Sequence, residues 1–575
     1  MARPWGCGWT GGAASVWARS YILRRMGGSV GHMTTQRASD VMVRALENEG
    51  VERIFGIPGE ENIDFLDSVR QSSIEFVLTR HEQAAAFMAA TYGRLTGRPG
   101  VCLTTLGPGA LNLATGAAYA HLGGMPVIMI TGQKGIRTAE QAAFQMVNTV
   151  ATMDPLTKES KQITSAAMIP TMVRDAFRVA QAERPGPVHL ELPEDIAGLT
   201  VDGFELIEPH TNGRPIAADT AIANAANVIR EAKRPLLMLG ADASRSECSD
   251  SLSKFVSGMR IPYFTTQMGK GSVSGSSDLY LGTAALTDRD YIHDAIEEAD
   301  VIVTIGHDTT EKPPFTMDGN GPTVVHIGYR SAVVEQVYFP QFEVIGALGP
   351  ALDDLAEALG GPVTNAEALL PMREDILVKI HEGADADRFI PQRIVQEVRD
   401  VMPVDGIVTL DNGMYKIWFA RNYRTTRANT LLLDNALATM GAGLPSAIGA
   451  KLTHPERRVM AVVGDGGFMM NSQEMETAVR LGLDLVVLVL EDYTLGMIRW
   501  KQESDGMPDY GLTFGNPDFV KYAESYGATG HRLSDVSEMN AVLSSAFEAG
   551  GVHVVVAPID YSENKRVLID ELGRR

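Results

Sequence analysis

Two acidic turns in the last third of the chain carry the residue types that could hold a charged ligand. The first is GDGG, Gly464 to Gly467, which follows the apolar run VMAVV and opens onto a helix-forming stretch. The first N–H groups of a helix lack partners and carry partial positive charge, so a glycine turn between strand and helix is a usual seat for phosphate. An aspartate there suits a phosphate that arrives with a divalent cation. Mg²⁺ takes a few carboxylate or carbonyl oxygens from protein and keeps phosphate oxygens as its other ligands. Taken alone, GDGG is equally compatible with simple turn and N-cap chemistry. The second turn changes that balance: LVVLVL ends in Glu491 and Asp492, followed by Tyr493, Thr494, Leu495, Gly496 and Met497. A strand, a helix and a return to the next parallel strand bring the two strand ends side by side, where open α/β sheets bind ligands. Asp465 and Asp492 are therefore placed to share one cation. A third acid, Glu82, opens the alanine-rich run EQAAAFMAATYGRL. It can serve the helix dipole, or it can be a desolvated carboxyl that shares a proton with a bound group.

The elements that must position these acids follow a parallel α/β pattern from about Ala38 onward, with short β-branched runs alternating with longer helical stretches. VCLTTLGPG and MPVIMITG read as buried strands ending in glycine turns, and ERPGPVHLELPEDI closes a first unit. A proline-bearing linker from Glu208 to Ala217 precedes a second unit containing RPLLMLGAD, ADVIVTIGHD and TVVHIGYR. After a charged stretch around Met372 to Asp387, a third unit contains DGIVTLDNG, RRVMAVVGDGG and DLVVLVLED. The expected architecture is three consecutive parallel-sheet α/β domains, over 38–200, 218–362 and 388–575. Residues 1–37 differ in kind: they hold no Asp or Glu and carry Trp5, Trp9 and Trp17, three of the chain's five tryptophans. They are expected to be a disordered extension, arising from a presequence, an upstream translation start or a cloning remnant.

Composition limits the class of function. The 575 residues are too many for one core, and 45% hydrophobic with 21% charged residues is ordinary globular composition. A formal charge of -21 argues against nucleic acid or an anionic membrane as partner, since both are bound through clustered Lys and Arg. Small-molecule substrates are expected instead. Cys7, Cys102 and Cys248 form no CxxC pair, which implies neither a disulfide framework nor a structural zinc site and fits a reducing, cytoplasmic setting. No apolar run reaches the ~18 residues of a spanning helix.

The pairing of GDGG with a downstream acidic turn resembles the GDG…N signature of thiamine-diphosphate enzymes. From about Ala38 the chain resembles the acetolactate synthase branch of that family. HEQAAAFMAATYGRLTGRPGV, GPGALN, GMPVIMITGQ, AAFQ, TK at 157, ERPGPVHLELPEDI and ATMGAGLPSAIGAKL occur in the family's order. The resemblance implies a pyrimidine-binding domain, a central domain and a diphosphate-binding domain. It also implies thiamine diphosphate with Mg²⁺, and a homodimer or homotetramer whose active sites lie between subunits. It assigns Glu82 to protonate N1′ of the cofactor's aminopyrimidine, and Met440 to lie under the cofactor and bend it. Gly464, Asp465, Gly466, Gly467, Asp492 and Met497 would bind the cofactor, with Asp465, Asp492 and the Thr494 carbonyl on the metal. Phe144, Gln145 and Lys158 match residues on the facing side of the cleft, although surface and helix roles suit them equally.

Two departures bear on function. The usual Asn-Asn or Asp-Asn pair is Glu491-Asp492 here, and the resemblance puts Asp492 at the ligand position. VTIGHDTTEKPP and LGTAALT replace the segments that line FAD in flavin-containing members, which counts against FAD and toward the flavin-free catabolic type. The implied reaction is decarboxylation of a 2-oxo acid such as pyruvate and ligation of the remaining two-carbon unit to a second 2-oxo acid. A non-ligating 2-oxo acid decarboxylase is the rival, disfavoured by the absence of an adjacent His-His pair. Glyoxylate carboligase is disfavoured by the presence of Glu82. A catalytically silent binding protein of the same fold is the alternative from another class.

Overall fold

The computed structural model describes residues 36–137, 142–286, 288–317 and 321–573. The expected N-terminal extension lies outside the described residues as far as residue 35. Gln36 and Arg37 belong to the fold, pairing antiparallel with Thr200–Val201, and Arg37 binds Asp64 and Asp67.

Three six-stranded sheets follow one another along the chain. The first contains β1 (Arg53–Gly56), β2 (Glu75–Leu78), β3 (Gly100–Thr104), β4 (Val127–Gln133), β5 (Glu159–Gln162) and β6 (Pro187–Pro193). Its strands lie side by side in the order β2-β1-β3-β4-β6-β5, all parallel. The second contains β7 (Pro235–Leu239), β8 (Tyr263–Thr265), β9 (Tyr280–Thr283), β10 (Val301–Ile305), β11 (Thr323–Gly328) and β12 (Phe342–Ile345), ordered β9-β8-β7-β10-β11-β12. The third contains β13 (Ile407–Leu410), β14 (Leu431–Leu432), β15 (Val459–Gly464), β16 (Leu485–Glu491), β17 (Thr529–Arg532) and β18 (Val552–Pro558). Its order, β14-β13-β15-β16-β18-β17, repeats that of the first. Central strands such as β4 and β16 are buried along their whole length, as parallel strands covered by helices on both faces must be. That burial is why their sequences read as unbroken apolar runs.

The first and third units share one hydrophobic core. Helix α1 (Glu82–Thr96) is buried on nearly all sides, and Phe87, Met88 and Ala89 lie in one cluster with Ala447, Ile448 and Val463 of the third unit. Its partner is α3 (Gly443–Thr453), and the two backbones approach so closely that a Cβ on Gly449 would lie 2.9 Å from the Met88 carbonyl oxygen. Alanine and glycine on both helices permit that approach. The charged stretch after the second unit folds as a helix, Met372–His381, whose Ile376 and Ile380 are buried with Leu281 of the central domain.

Candidate active site

Glu82 is the first residue of α1. The chain enters extended at His81, whose ring nitrogen accepts the Gln83 amide at 3.1 Å and caps the helix. The Glu82 carboxyl is buried, at 8% exposure, and its named partner is neutral: Asn112 Nδ2 donates to Oε2 at 2.9 Å. Asn112 ends α2 (Gly107–Asn112), the short helix after β3. A Cβ on Gly109 of that helix would meet Glu82 Oε1 at 3.2 Å, so only glycine leaves the carboxyl this close to the turn. The segment bearing Phe144 and Gln145 leans on the same helix, with the Gln145 carbonyl oxygen 2.7 Å from where a Gly107 Cβ would sit. Both side chains are exposed, and Gln145 has φ +56°.

Lys158 does not join this group. It precedes β5 at the N-terminal end of the sheet, opposite to the end from which Glu82 emerges. Its amine donates to the carbonyls of Val179 and Ala182, both at 2.6 Å, closing the end of helix Ile169–Gln181. Burial lowers that amine to about 8. In this chain the residue is a helix cap, which spacing alone could not distinguish from a cleft lysine.

In the third unit, β15 ends at Gly464 and α4 (Asp465–Asn471) starts at once. Asp465 is 1% exposed. Its Oδ2 accepts the amides of Asp492 at 3.1 Å and Tyr493 at 2.7 Å and the Asn516 side chain at 2.8 Å, while Oδ1 accepts the Gly466 amide at 2.8 Å. Asp492 lies at the end of β16 beside it. Burial, then the charge of Asp465, pushes the Asp492 carboxyl up to about 7. Among the described residues neither aspartate has a Lys, Arg or His ion-pair partner. Thr494 Oγ1 and Asn516 Oδ1 are buried there without hydrogen-bond partners. Two converging carboxylates among unpartnered oxygens form a hard, all-oxygen donor set. That set fits Mg²⁺, which needs few protein ligands when a phosphate supplies others. No group of three or more His, Cys, Asp or Glu converges among the described residues, so carbonyl oxygens such as that of Thr494 would have to complete the shell.

Glu491 is buried and bound by Arg532 at 2.6 Å, which leaves Asp492 facing Asp465. The turn accepts little besides glycine: a Cβ on Gly467 would lie 2.7 Å from Asp411 Oδ2. Met440 stands half-buried in the loop between β14 and α3. Met497 and Trp500, on α6 (Gly496–Ser504), pack partly against the core of the third unit. Sequence reasoning missed Asn112, Asp411, Asp434, Asn471, Glu474 and Asn516. Asn112 ends the motif GPGALN, which was the one signal for it. A cavity of about 670 Å³ at the junction of the units, lined by Arg94, Arg98, Arg174 and Arg245, lies apart from all of these groups.

A buried carboxyl with a neutral partner thus lies on the first unit and a pair of converging carboxylates on the third. Residues 36–152 match the thiamine pyrophosphate enzyme N-terminal TPP binding domain, 222–364 its central domain and 411–557 its C-terminal TPP binding domain. The chain belongs to the thiamine pyrophosphate enzymes. It is 34% identical over 550 residues to an acetolactate synthase of Bacillus subtilis (94% of this chain, 96% of that protein). It is also 34% identical over 541 residues to a catabolic acetolactate synthase of Raoultella terrigena (92% and 95%). The large subunit of acetolactate synthase isozyme 2 of Escherichia coli is 30% identical over 535 residues (91% and 95%). Each matched span falls within one of the three units, and this thiamine-pyrophosphate-dependent enzyme is acetolactate synthase-like along almost its whole length. Among its described residues no helix is long and apolar enough to cross a membrane.

Proposed function

We propose that this enzyme decarboxylates pyruvate and joins the remaining two-carbon unit to a second pyruvate, as a flavin-free, catabolic-type acetolactate synthase acting in the cytoplasm. The observation that carries this reading is the pairing of a buried, neutrally partnered Glu82 with a two-aspartate oxygen site on a second unit of the same strand order. Thiamine diphosphate, when bound, supplies the C2 carbanion and electron sink for decarboxylation. Glu82 holds a proton at N1′ of the aminopyrimidine and returns it during turnover. Asp465, Asp492 and the Thr494 carbonyl hold Mg²⁺ against the diphosphate, with the glycines of 464–467 admitting it. Met440 would lie against the cofactor, Met497 would line its cleft, and Phe144 and Gln145 would border the substrate approach.

Two further features support the finer points. Exposed apolar side chains flank both groups, Leu111, Phe144 and Met146 on one and Met469, Met470 and Ile498 on the other. Such patches mark association surfaces and suit a homodimer or homotetramer in which one copy's Glu82 faces another's Asp465. At the switch point of the central sheet the chain leaving β7 passes close to that leaving β10: a Cβ on Gly240 would lie 2.5 Å from the Gly306 oxygen. Asp308 there is bound by Arg184 and by Arg330. The replacement of the flavin-lining segments by VTIGHDTTEKPP and LGTAALT supports a protein without FAD. The test is product analysis with pyruvate, Mg²⁺ and thiamine diphosphate. Colourless protein forming 2-acetolactate is expected; acetaldehyde alone would favour the decarboxylase, and a flavin absorbance band would remove the flavin-free reading.

A further inference from the structure

The loop that presents Met440 is held in a conformation its sequence does not favour. Between β14 and α3, over residues 433–442, Ala438 has φ +55° and Gly441 has φ +85°. A left-handed alanine persists only where its surroundings over-determine it. Two carboxylates supply that determination, one at each end of the loop. Asp434 Oδ1 accepts the amides of Ala436 at 3.0 Å and Leu437 at 3.4 Å, and its Oδ2 accepts the Ala438 amide at 2.7 Å. The Asp434 carbonyl is fixed in turn by the buried Lys416 amine at 3.1 Å. At the other end both oxygens of Asp411 lie 2.9 Å from the Gly441 amide, and Asn471 Nδ2 binds the Gly441 carbonyl at 2.7 Å. Asp411 is also the group against which Gly467 packs, so it sets the loop relative to the GDGG turn. Both carboxylates are nine-tenths or more buried, and neither belongs to the metal site.

We infer that Asp434 and Asp411 are positioning residues for catalysis: they hold the Met440 loop at the height above α4 at which the bound cofactor is bent for proton transfer. This rests on the thiamine-diphosphate reading above. A cofactor misplaced by about 1 Å loses on the order of 10²-fold in rate, whereas the amides that Asp434 holds belong to none of the residues assigned to the diphosphate or the metal. Asp434 acts on the strained residue and Asp411 on the glycine beside Met440, so the two effects are separable.

The experiment uses the full-length protein with Mg²⁺ and thiamine diphosphate, reading cofactor affinity by calorimetry, hydrogen–deuterium exchange at C2 by quenched NMR, and thermal unfolding. Asp434→Ala is expected to bind cofactor within about threefold of wild type, yet slow C2 exchange about 10-fold or more. Ala438→Gly in the same chain should recover much of that loss, because glycine adopts positive φ without a steric penalty. Ala438→Gly alone should change little. Unchanged exchange in Asp434→Ala overturns the inference. So does a parallel fall in melting temperature, affinity and exchange that Ala438→Gly fails to rescue, since that pattern is merely structural. Should Asp434→Ala fold poorly, Asp411→Asn, which keeps the volume and one acceptor, is read in the same way. Wild-type protein that binds no thiamine diphosphate would instead bring down the functional reading on which the inference stands.

Discussion

The first and third units have the same strand order and put their chemistry at the same three strand ends, but with opposite electrostatic logic. The chain leaving β2 delivers Glu82, and the chain leaving β14 delivers Met440. After β3 comes the GPG turn with Asn112; after β15 comes the GDGG turn with Asp465. Beyond β4 lie Phe144 and Gln145, and beyond β16 lie Asp492 and Thr494. In the first unit the Glu82 carboxyl is partnered by neutral Asn112, and the other buried carboxylate at these strand ends, Glu61, is neutralised by Lys134; under the proposed function Glu82 exchanges a proton with the ligand. In the third, two carboxylates converge and, among the described residues, no Lys, Arg or His is ion-paired to either, an arrangement that suits a cation. Under the proposed function one fold serves acid–base work at one copy and cation binding at the other, by changing which residues follow the same strands.

The largest effect is expected at the cation site. Asp465→Ala removes the carboxylate that also anchors the amides of Asp492 and Tyr493, so Mg²⁺-dependent binding of thiamine diphosphate should fall by about 100-fold or more by calorimetry, a charge-assisted contact being worth several-fold more than a neutral one. Retained affinity would break the comparison by showing that the third unit needs no metal. Glu82→Gln tests the other side. The cofactor should bind within a few-fold of wild type while C2 exchange slows roughly 10²–10⁴-fold, the usual range for a lost acid–base group. If exchange were unchanged, Glu82 would be a helix-dipole acid and the first unit would carry no proton chemistry.

A smaller effect concerns the seam between the units. Glu474, on α5 (Glu474–Arg480), is fully buried and accepts the Arg80 amide at 3.0 Å, two residues before Glu82. Burial raises its carboxyl to about 7. A carboxyl raised in the folded state keeps a proton that the unfolded chain has released. Its contribution is therefore fully present below about pH 4.5 and is lost as pH rises to about 7. Glu474→Gln keeps an acceptor for Arg80 and removes the titration. Urea unfolding at pH 5 and pH 7.5 should show wild type losing about 2 kcal/mol relative to this variant over that interval. Equal pH dependence of the two would mean that Glu474 is ionised in the seam.

Much of this was legible from residue order. The three sheets follow from apolar runs ending in glycine turns, since a parallel strand buried on both faces has little choice of side chain. Asp465 and Asp492 stood out because their turns interrupt such runs with acids, and the structure sets them side by side. What stayed hidden depends on contacts between segments far apart in the chain. Asn112 reaches Glu82 across 30 residues and Asn471 reaches Gln83 across 388, and no periodicity marks either. Lys158 shows the converse: its match to a motif gave no information about the end of the sheet on which its amine lies. The stretch beyond the central unit read only as a charged segment because just Ile376 and Ile380 of its helix are buried.

The smallest effect should be at Asp492, and it bears most directly on the contrast between the units. If the site's requirement is for oxygen donors around a cation, Asp492→Asn keeps a carbonyl oxygen in place and should weaken Mg²⁺-dependent cofactor binding by no more than about 10-fold. It also relieves the burial and repulsion that push the Asp492 carboxyl up to about 7, so the metal-free variant should be at least as stable as wild type at pH 8. Two opposing terms are thus separated by one substitution: affinity falls slightly because a charge is lost, and apo stability holds or rises because an unpaired charge is removed. Calorimetric titration and urea unfolding of the same preparation measure both. Should Asp492→Asn lose binding as completely as Asp465→Ala, the requirement is for two charges and not for oxygen donors. The third unit would then be set apart from the first by net charge and not by geometry.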